Sequence, residues 1–395
     1  LDITLSHRAQ SIKPSPTLAV TARAAELQAE GKDIIGLGAG EPDFDTPEHI
    51  KAAAIEALKK GMTKYTAVDG TADLKNAIIN KFKRENNLDY NKNQISVACG
   101  AKHSLYNLFQ AILNPGDEII IPAPYWVSYP DMAKLAGAEP VILKTTIEEH
   151  FKITPKKLQG AISENTRMVV FNSPSNPTGV SYSEKELAAL GEVLVDHPEI
   201  IVVTDDIYEH VLWGQDKFVN IVNACPALYD RTVVVNGVSK AYSMTGWRIG
   251  YVGGPEAIIK GMNKIQSQST SNPTSIAQAA AVAALNGDQT YIEESTGIFK
   301  QRHDFVLNAL NEIEGIRCLA SEGTFYSFPD MNELMETMEG INNDIELAEF
   351  FLEKAEVAMV PGSAFGAPGC MRISFATSME NLEKSMERIK KSLEK

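Results

Sequence analysis

No window of this sequence holds the roughly 18 unbroken apolar residues that a membrane-crossing helix needs. Positive charge is also in short supply: 37 Lys+Arg face 51 Asp+Glu, a formal net charge of −14. That balance argues against an extended nucleic-acid surface, while a small anion needs only a local pocket. The four cysteines, Cys99, Cys225, Cys318 and Cys370, are far apart and form no CxxC pair. Free buried thiols in a reducing compartment are therefore expected, not a disulfide framework. The seven histidines give no HExxH motif and no i,i+4 pair, so no metal is expected. Residues 1–20 are polar and broken by proline, without the apolar core of a secretory signal. A cytoplasmic location with neither membrane nor nucleic-acid partner is the expectation. The chain opens on Leu1 and not on methionine, which leaves room for a trimmed upstream segment.

What is present is ordinary in amount and informative in order. The 395 residues are 44% hydrophobic and 22% charged, the composition of a globular protein with a large core. RMVVF (167–171), IIVVT (200–204) and TVVVN (232–236) are β-branched runs of buried-strand type. Between the first two, Ser183 and Glu186 stand at capping-box spacing ahead of Leu187, Leu190 and Leu194 on one helical face. This is the grammar of a mainly parallel sheet covered by helices, an α/β fold. SIAQAAAVAAL (275–285) predicts a closely packed helix, and a longer amphipathic pattern follows from about 288 to 313. The last third predicts a smaller α+β unit, ending in a charged helix over 380–394, with which the first forty residues pack. The loop GLGAG (36–40) imitates a dinucleotide-binding turn. It is not GxGxxG, and Pro42 and Pro47 keep a helix from starting directly after it.

Ligands of open parallel sheets sit beyond the carboxyl ends of the strands. After QISVA (94–98) come Gly100, Ala101 and Lys102, opening a helix whose free amides suit an anion. After RMVVF comes NSPSNPTG with Asn176. After IIVVT come Asp205 and Tyr208, and after TVVVN come Lys240 and Arg248. Taken singly, each has an ordinary structural account as a cap, a turn or a solvated end. Their convergence on one sheet edge is what points to chemistry.

The segment GVSKAYSMTGWRIG (237–250) resembles the lysine signature of class I aminotransferases, which use pyridoxal 5′-phosphate (PLP). GEPDFDTP (40–47), KYTAVDG (64–70), PAPYWVSYP (122–130), SPSNPTG (173–179), TDDIYEH (204–210) and MRISFA (371–376) match the same family in order along most of the chain. The likeness is greatest to bacterial aspartate aminotransferases of the 1β type. It implies the PLP-dependent transferase fold type I, with a large unit over 48–290 and a small one made of 1–47 and 291–395.

The resemblance also implies roles. Lys240 would hold PLP as a Schiff base and then carry the proton between substrate and cofactor. Asp205 would keep the pyridine nitrogen protonated, Tyr208 and Asn176 would bond the phenolic oxygen, and Trp126 would stack on the ring. Gly100, Ala101, Lys102 and Arg248 would hold the phosphate, joined by Tyr65 from the partner subunit of a homodimer. Arg372 would clamp the substrate α-carboxylate with two parallel hydrogen bonds, aided by Gly40, with Trp126 and Asn176 on the substrate side as well. Gly237 stands where many relatives place a phosphate-bonding Ser or Thr, so Arg248 carries more of that work. Lys102, with Ser15 and Thr17, would take the distal carboxylate of a dicarboxylic amino acid. The implied reaction moves an amino group between L-aspartate or L-glutamate and a 2-oxo acid. Prephenate or aromatic 2-oxo acids are alternative acceptors. A PLP lyase acting at Cβ is disfavoured by the paired Lys102 and Arg372. A regulatory binding protein is disfavoured by the complete site and by the lack of residues for a DNA-binding module.

Overall fold

The structure, a computed structural model, describes residues 3–12, 14, 16–215 and 217–394. Two helices, His7–Ser11 and Pro16–Ala29, precede a two-residue strand β1 (Ile35–Gly36). The chain then runs without a helix until Glu48–Lys59, which starts directly after Pro47, where proline suits a helix entrance and not its interior. Seven strands follow: β2 (Ile95–Ala98), β3 (Glu118–Ala123), β4 (Glu139–Lys144), β5 (Thr166–Asn172), β6 (Ile201–Asp205), β7 (Thr232–Gly237) and β8 (Gly250–Gly253). They form one sheet in the order β2-β8-β7-β6-β5-β3-β4. All pairs are parallel except those of β8, which is antiparallel to both β2 and β7.

The valine runs make this sheet because alternate side chains serve opposite faces. Val169, Val202 and Val234 pack with Leu74, Leu187 and Ala280 on one side. Val170, Val203 and Val235 pack with Leu105, Met132 and Ile259 on the other. The expected capping box is in place: Ser183 accepts from the Glu186 amide, and the Glu186 side chain accepts in return from the Ser183 amide. The predicted Ala-rich and long helices fall at Ser275–Asn286 and Thr290–Asn311.

Beyond them, β9 (Tyr326–Ser327), β11 (Val360–Pro361) and β12 (Met371–Ser374) form a second, antiparallel sheet, while β1 pairs in parallel with β10 (Val357–Ala358). Both chain ends thus meet in one core, with Ile35 and Leu37 packed among Phe299, Val357 and Leu382. Among the described residues no helix is long and apolar enough to cross a membrane.

Topology sets the site. Six strands of the large sheet point their carboxyl ends to one edge, and antiparallel β8 begins at that edge. Residues just before β8 therefore arrive beside residues just after β2, β5, β6 and β7.

Candidate active site

A cavity of about 360 Å³ opens at this edge, lined among others by Lys102, Trp126, Asn176, Asp205, Tyr208, Lys240, Arg248 and Arg372. Lys240 sits in the turn after β7, partly exposed to it. Its ammonium donates to the Gly40 carbonyl oxygen at 2.6 Å. Burial pushes its pKa down to about 8; Arg372 and Arg248 push the same way, against the pull of Glu41 and Asp205. A primary amine brought near neutrality is a usable nucleophile and base.

Asp205 ends β6 and is buried. Tyr129 donates its hydroxyl to Asp205 Oδ2 at 2.7 Å. Burial raises the carboxyl to about 6, opposed by the bonds from Tyr129 and the Ile207 amide and by Lys240. A cation brought against it would restore the carboxylate and be held in return.

At the opposite end, helix Ala101–Ile112 starts from Gly100, and its first amides have no intrahelical acceptor. Gly100 adopts φ +90°, and a Cβ there would lie 2.2 Å from Arg248 Nη2. Only glycine lets the guanidinium close on this helix start. Arg248 itself takes φ +58° and donates to the carbonyls of Thr245 at 2.7 Å and Cys99 at 3.3 Å. Guanidinium and helix start together make an anion cradle.

Arg372 lies on β12, buried between the rings of Tyr326 and Phe365 at 4.5 and 4.9 Å. It donates to Asn176 Oδ1 at 3.0 Å and to the Gly38 carbonyl at 2.7 Å, while its buried Nε has no partner among the described residues. That guanidinium N–H, on a residue that lines the cavity, is a buried donor without an acceptor.

Most expected positions converge. Ala101, Gly40 and Thr17 line the same cavity, and Gly100 shapes the cradle behind it. Lys102 holds its ammonium 5.0 Å from the Trp126 ring centroid, and burial together with Arg248 lowers its pKa. Gly40 meets Lys240 through its carbonyl, not its amide. Ser15 lies outside the described residues. Tyr65 is 91% exposed and does not line its own chain's cavity. The site also contains residues to which no role had been given. Tyr129 bonds Asp205, Tyr326 pairs its hydroxyl with that of Tyr208 at 3.0 Å, and Thr245 donates to Glu41 at 2.7 Å. Tyr129 follows Trp126 by three positions at a helix start, a spacing that puts both rings on one face; the rings meet edge-on at 5.3 Å.

Fold and cavity define an α/β enzyme whose sheet-edge cavity brings Lys240 together with an anion cradle and a guanidinium clamp. The chain belongs to the family described as aminotransferase class I and II, whose profile matches residues 32–389. It is 62% identical over 390 residues to the aspartate/prephenate aminotransferase of Nitrosomonas europaea, with 98% of each chain covered. It is 52% identical to the aspartate aminotransferase of Bacillus subtilis, with 99% of each covered. Among solved structures, the aspartate aminotransferase of Rhizobium meliloti superposes with a TM-score of 0.96 at 48% identity over 99% of both chains. That of Thermus thermophilus, solved with maleate, gives 0.93 at 42% identity, covering 99% of this chain and 100% of that one.

Proposed function

We propose that this chain is a PLP-dependent aspartate aminotransferase, exchanging an amino group between L-aspartate or L-glutamate and 2-oxoglutarate or oxaloacetate. The observation that carries the reading is the co-location of Lys240, Asp205 and Tyr208 between the Arg248–Gly100 cradle and the half-satisfied Arg372. Their chemistry fits the cofactor: an amine for its aldehyde carbon, a carboxylate for its ring nitrogen, a cradle for its phosphate. Bound there, PLP supplies an aldehyde that takes the amino group and a ring that accepts the electron pair released at Cα.

The chain does the rest. Lys240 Nζ would hold the cofactor and, once free, would take and return the proton at the substrate Cα, a step worth about 10²–10⁴ in rate. Asp205 would hold positive charge on the ring nitrogen. The Tyr208 hydroxyl and the Asn176 amide would bond the ring oxygen, and Trp126 would cover the ring face. Arg372, in the same cavity as Lys240, would fix the α-carboxylate. Lys102 and Thr17, with Ser15, take the distal carboxylate. The maleate carried by the Thermus thermophilus structure, itself a four-carbon dicarboxylate, supports a dicarboxylic substrate.

The reading includes a homodimer, in which the exposed Tyr65 reaches the phosphate of the partner subunit. It also includes a division into a large unit over 48–290 and a small unit over 1–47 and 291–395. The test is spectroscopic. Purified with its cofactor, the protein should show a visible absorption band that aspartate bleaches and 2-oxoglutarate restores. Lys240→Ala should abolish the cycle, and normal turnover in that variant would sink the assignment. Prephenate is a second acceptor to compare, favoured by the Nitrosomonas europaea relative at 62% identity, an aspartate/prephenate aminotransferase.

A further inference from the structure

We infer that Gln266 and Gln278, two buried glutamines outside the cavity, are positioning residues that hold Tyr65 ready for a second copy of this chain. The inference rests on the reading that Tyr65 serves the partner's phosphate. Gln266 and Gln278 are 1% and 0% exposed, whereas Tyr65 is 91% exposed. Gln278 donates to Thr66 Oγ1 at 3.0 Å and to the Pro273 carbonyl at 2.9 Å, and accepts from the Thr71 amide at 2.8 Å. Gln266 donates to the carbonyls of Val68 at 2.6 Å and Val97 at 2.8 Å, and accepts from Asn107 Nδ2 at 2.9 Å. Carbonyl partners fix which end of the Gln266 amide donates.

Surface loops are usually held by water and their own turns. Burying two amides is costly unless each finds its partners, and here three of their six bonds go to residues 66–71. The Asp69 carbonyl also accepts from the Val97 amide at 3.1 Å, and Gly70 packs so closely on Val97 that a Cβ would lie 2.6 Å away. The loop is therefore fused to β2, the strand that leads to Gly100. An exposed tyrosine on so rigid a base loses little entropy on docking. One rigid piece thus shapes the chain's own phosphate cradle and presents Tyr65 to that of the partner.

The test separates phosphate contact from general stability by comparing affinity for PLP with affinity for pyridoxal, which lacks the phosphate. Tyr65→Phe in the full-length enzyme should weaken PLP about tenfold while leaving pyridoxal unchanged, the loss of one hydrogen bond to a charged group. Gln266→Met, Gln278→Met and the surface variant Thr66→Val, which spares the core, should lower the same PLP-to-pyridoxal ratio about threefold or more. Combining any of them with Tyr65→Phe should add no further loss. The proposal is overturned if Tyr65→Phe lowers the ratio but the other three do not, or if they weaken both ligands equally. An unchanged ratio in Tyr65→Phe overturns the cross-subunit reading itself, and the proposal with it.

Discussion

Lys240 and Lys81 are both lysines drawn out of bulk water around the short segment 205–210, and they are treated in opposite ways. Asp205 and Tyr208 line the cavity that holds Lys240, while Asp206 and Glu209 turn into a buried polar cluster around Lys81. Lys81 is fully buried, donates to Asn86 Oδ1 at 2.6 Å and to the Glu209 carboxylate, and lies 3.5 Å from Glu85. Glu209 accepts in addition from Asn86 at 2.6 Å and Asn236 at 2.7 Å. Burial would raise that carboxyl, but Lys81 and His210 hold it below its ordinary range. Glu85, Glu209 and His210 are grouped like metal ligands, yet the Lys81 ammonium already sits against both carboxylates. Lys240 has one carbonyl oxygen and no carboxylate bonded to it among the described residues. Burial makes a lysine reactive only where no anion neutralises it.

The largest break in this comparison comes from Lys81→Met. It would strand the Glu209 carboxylate in the interior, at a cost of about 3–5 kcal/mol. Urea unfolding should show that loss, whereas the midpoint for the charge on Lys240 should stay near 8. Unchanged stability would mean that the cluster is not held together by the ion pair.

The difference between the two lysines also marks what could be read from sequence. The valine strands, the Ser183–Glu186 box and the residues after each strand carry local signals: period-two alternation, cap spacing and position at a strand end. Lys240, Asp205, Asn176 and Arg248 fell to that logic. Lys81 did not, since KFKREN reads as a solvated helix face and its partner Glu209 is 128 positions away. Tyr129 and Tyr326 escaped for the same reason. Their partners Asp205 and Tyr208 lie 76 and 118 residues distant, and an aromatic residue in a hydrophobic motif reads as core. The direction of β8, which delivers Arg248, likewise had no marker in a run as short as GYVG.

Arg372 is another buried cation, and it sharpens the contrast because its Nε has no partner among the described residues. Arg372→Lys would keep a positive charge but lose the planar pair of donors. A loss of about 1.5–3 kcal/mol, a tenfold to hundredfold rise in KM for aspartate, is expected, with the affinity for PLP unchanged. An equal fall in cofactor affinity would show that Arg372 organises the whole cavity and does not act on the substrate alone.

The smallest effect is the most direct measure of how free Lys240 is. Its ammonium is lowered from 10.5 to about 8, so below pH 8 the charged form dominates and above it the nucleophilic amine does. Uptake of PLP by the cofactor-free protein should therefore quicken about tenfold per pH unit on approach to pH 8 and level off beyond it. Glu41 is the strongest influence holding that value up, and Thr245 pins its carboxylate with a 2.7 Å hydrogen bond. Glu41→Gln should then move the midpoint to lower pH by a fraction of a unit while leaving the shape of the profile intact. A midpoint near 10.5 would mean that Lys240 has found a counter-charge, and an upward move in Glu41→Gln would mean that Glu41 does not stabilise the ammonium.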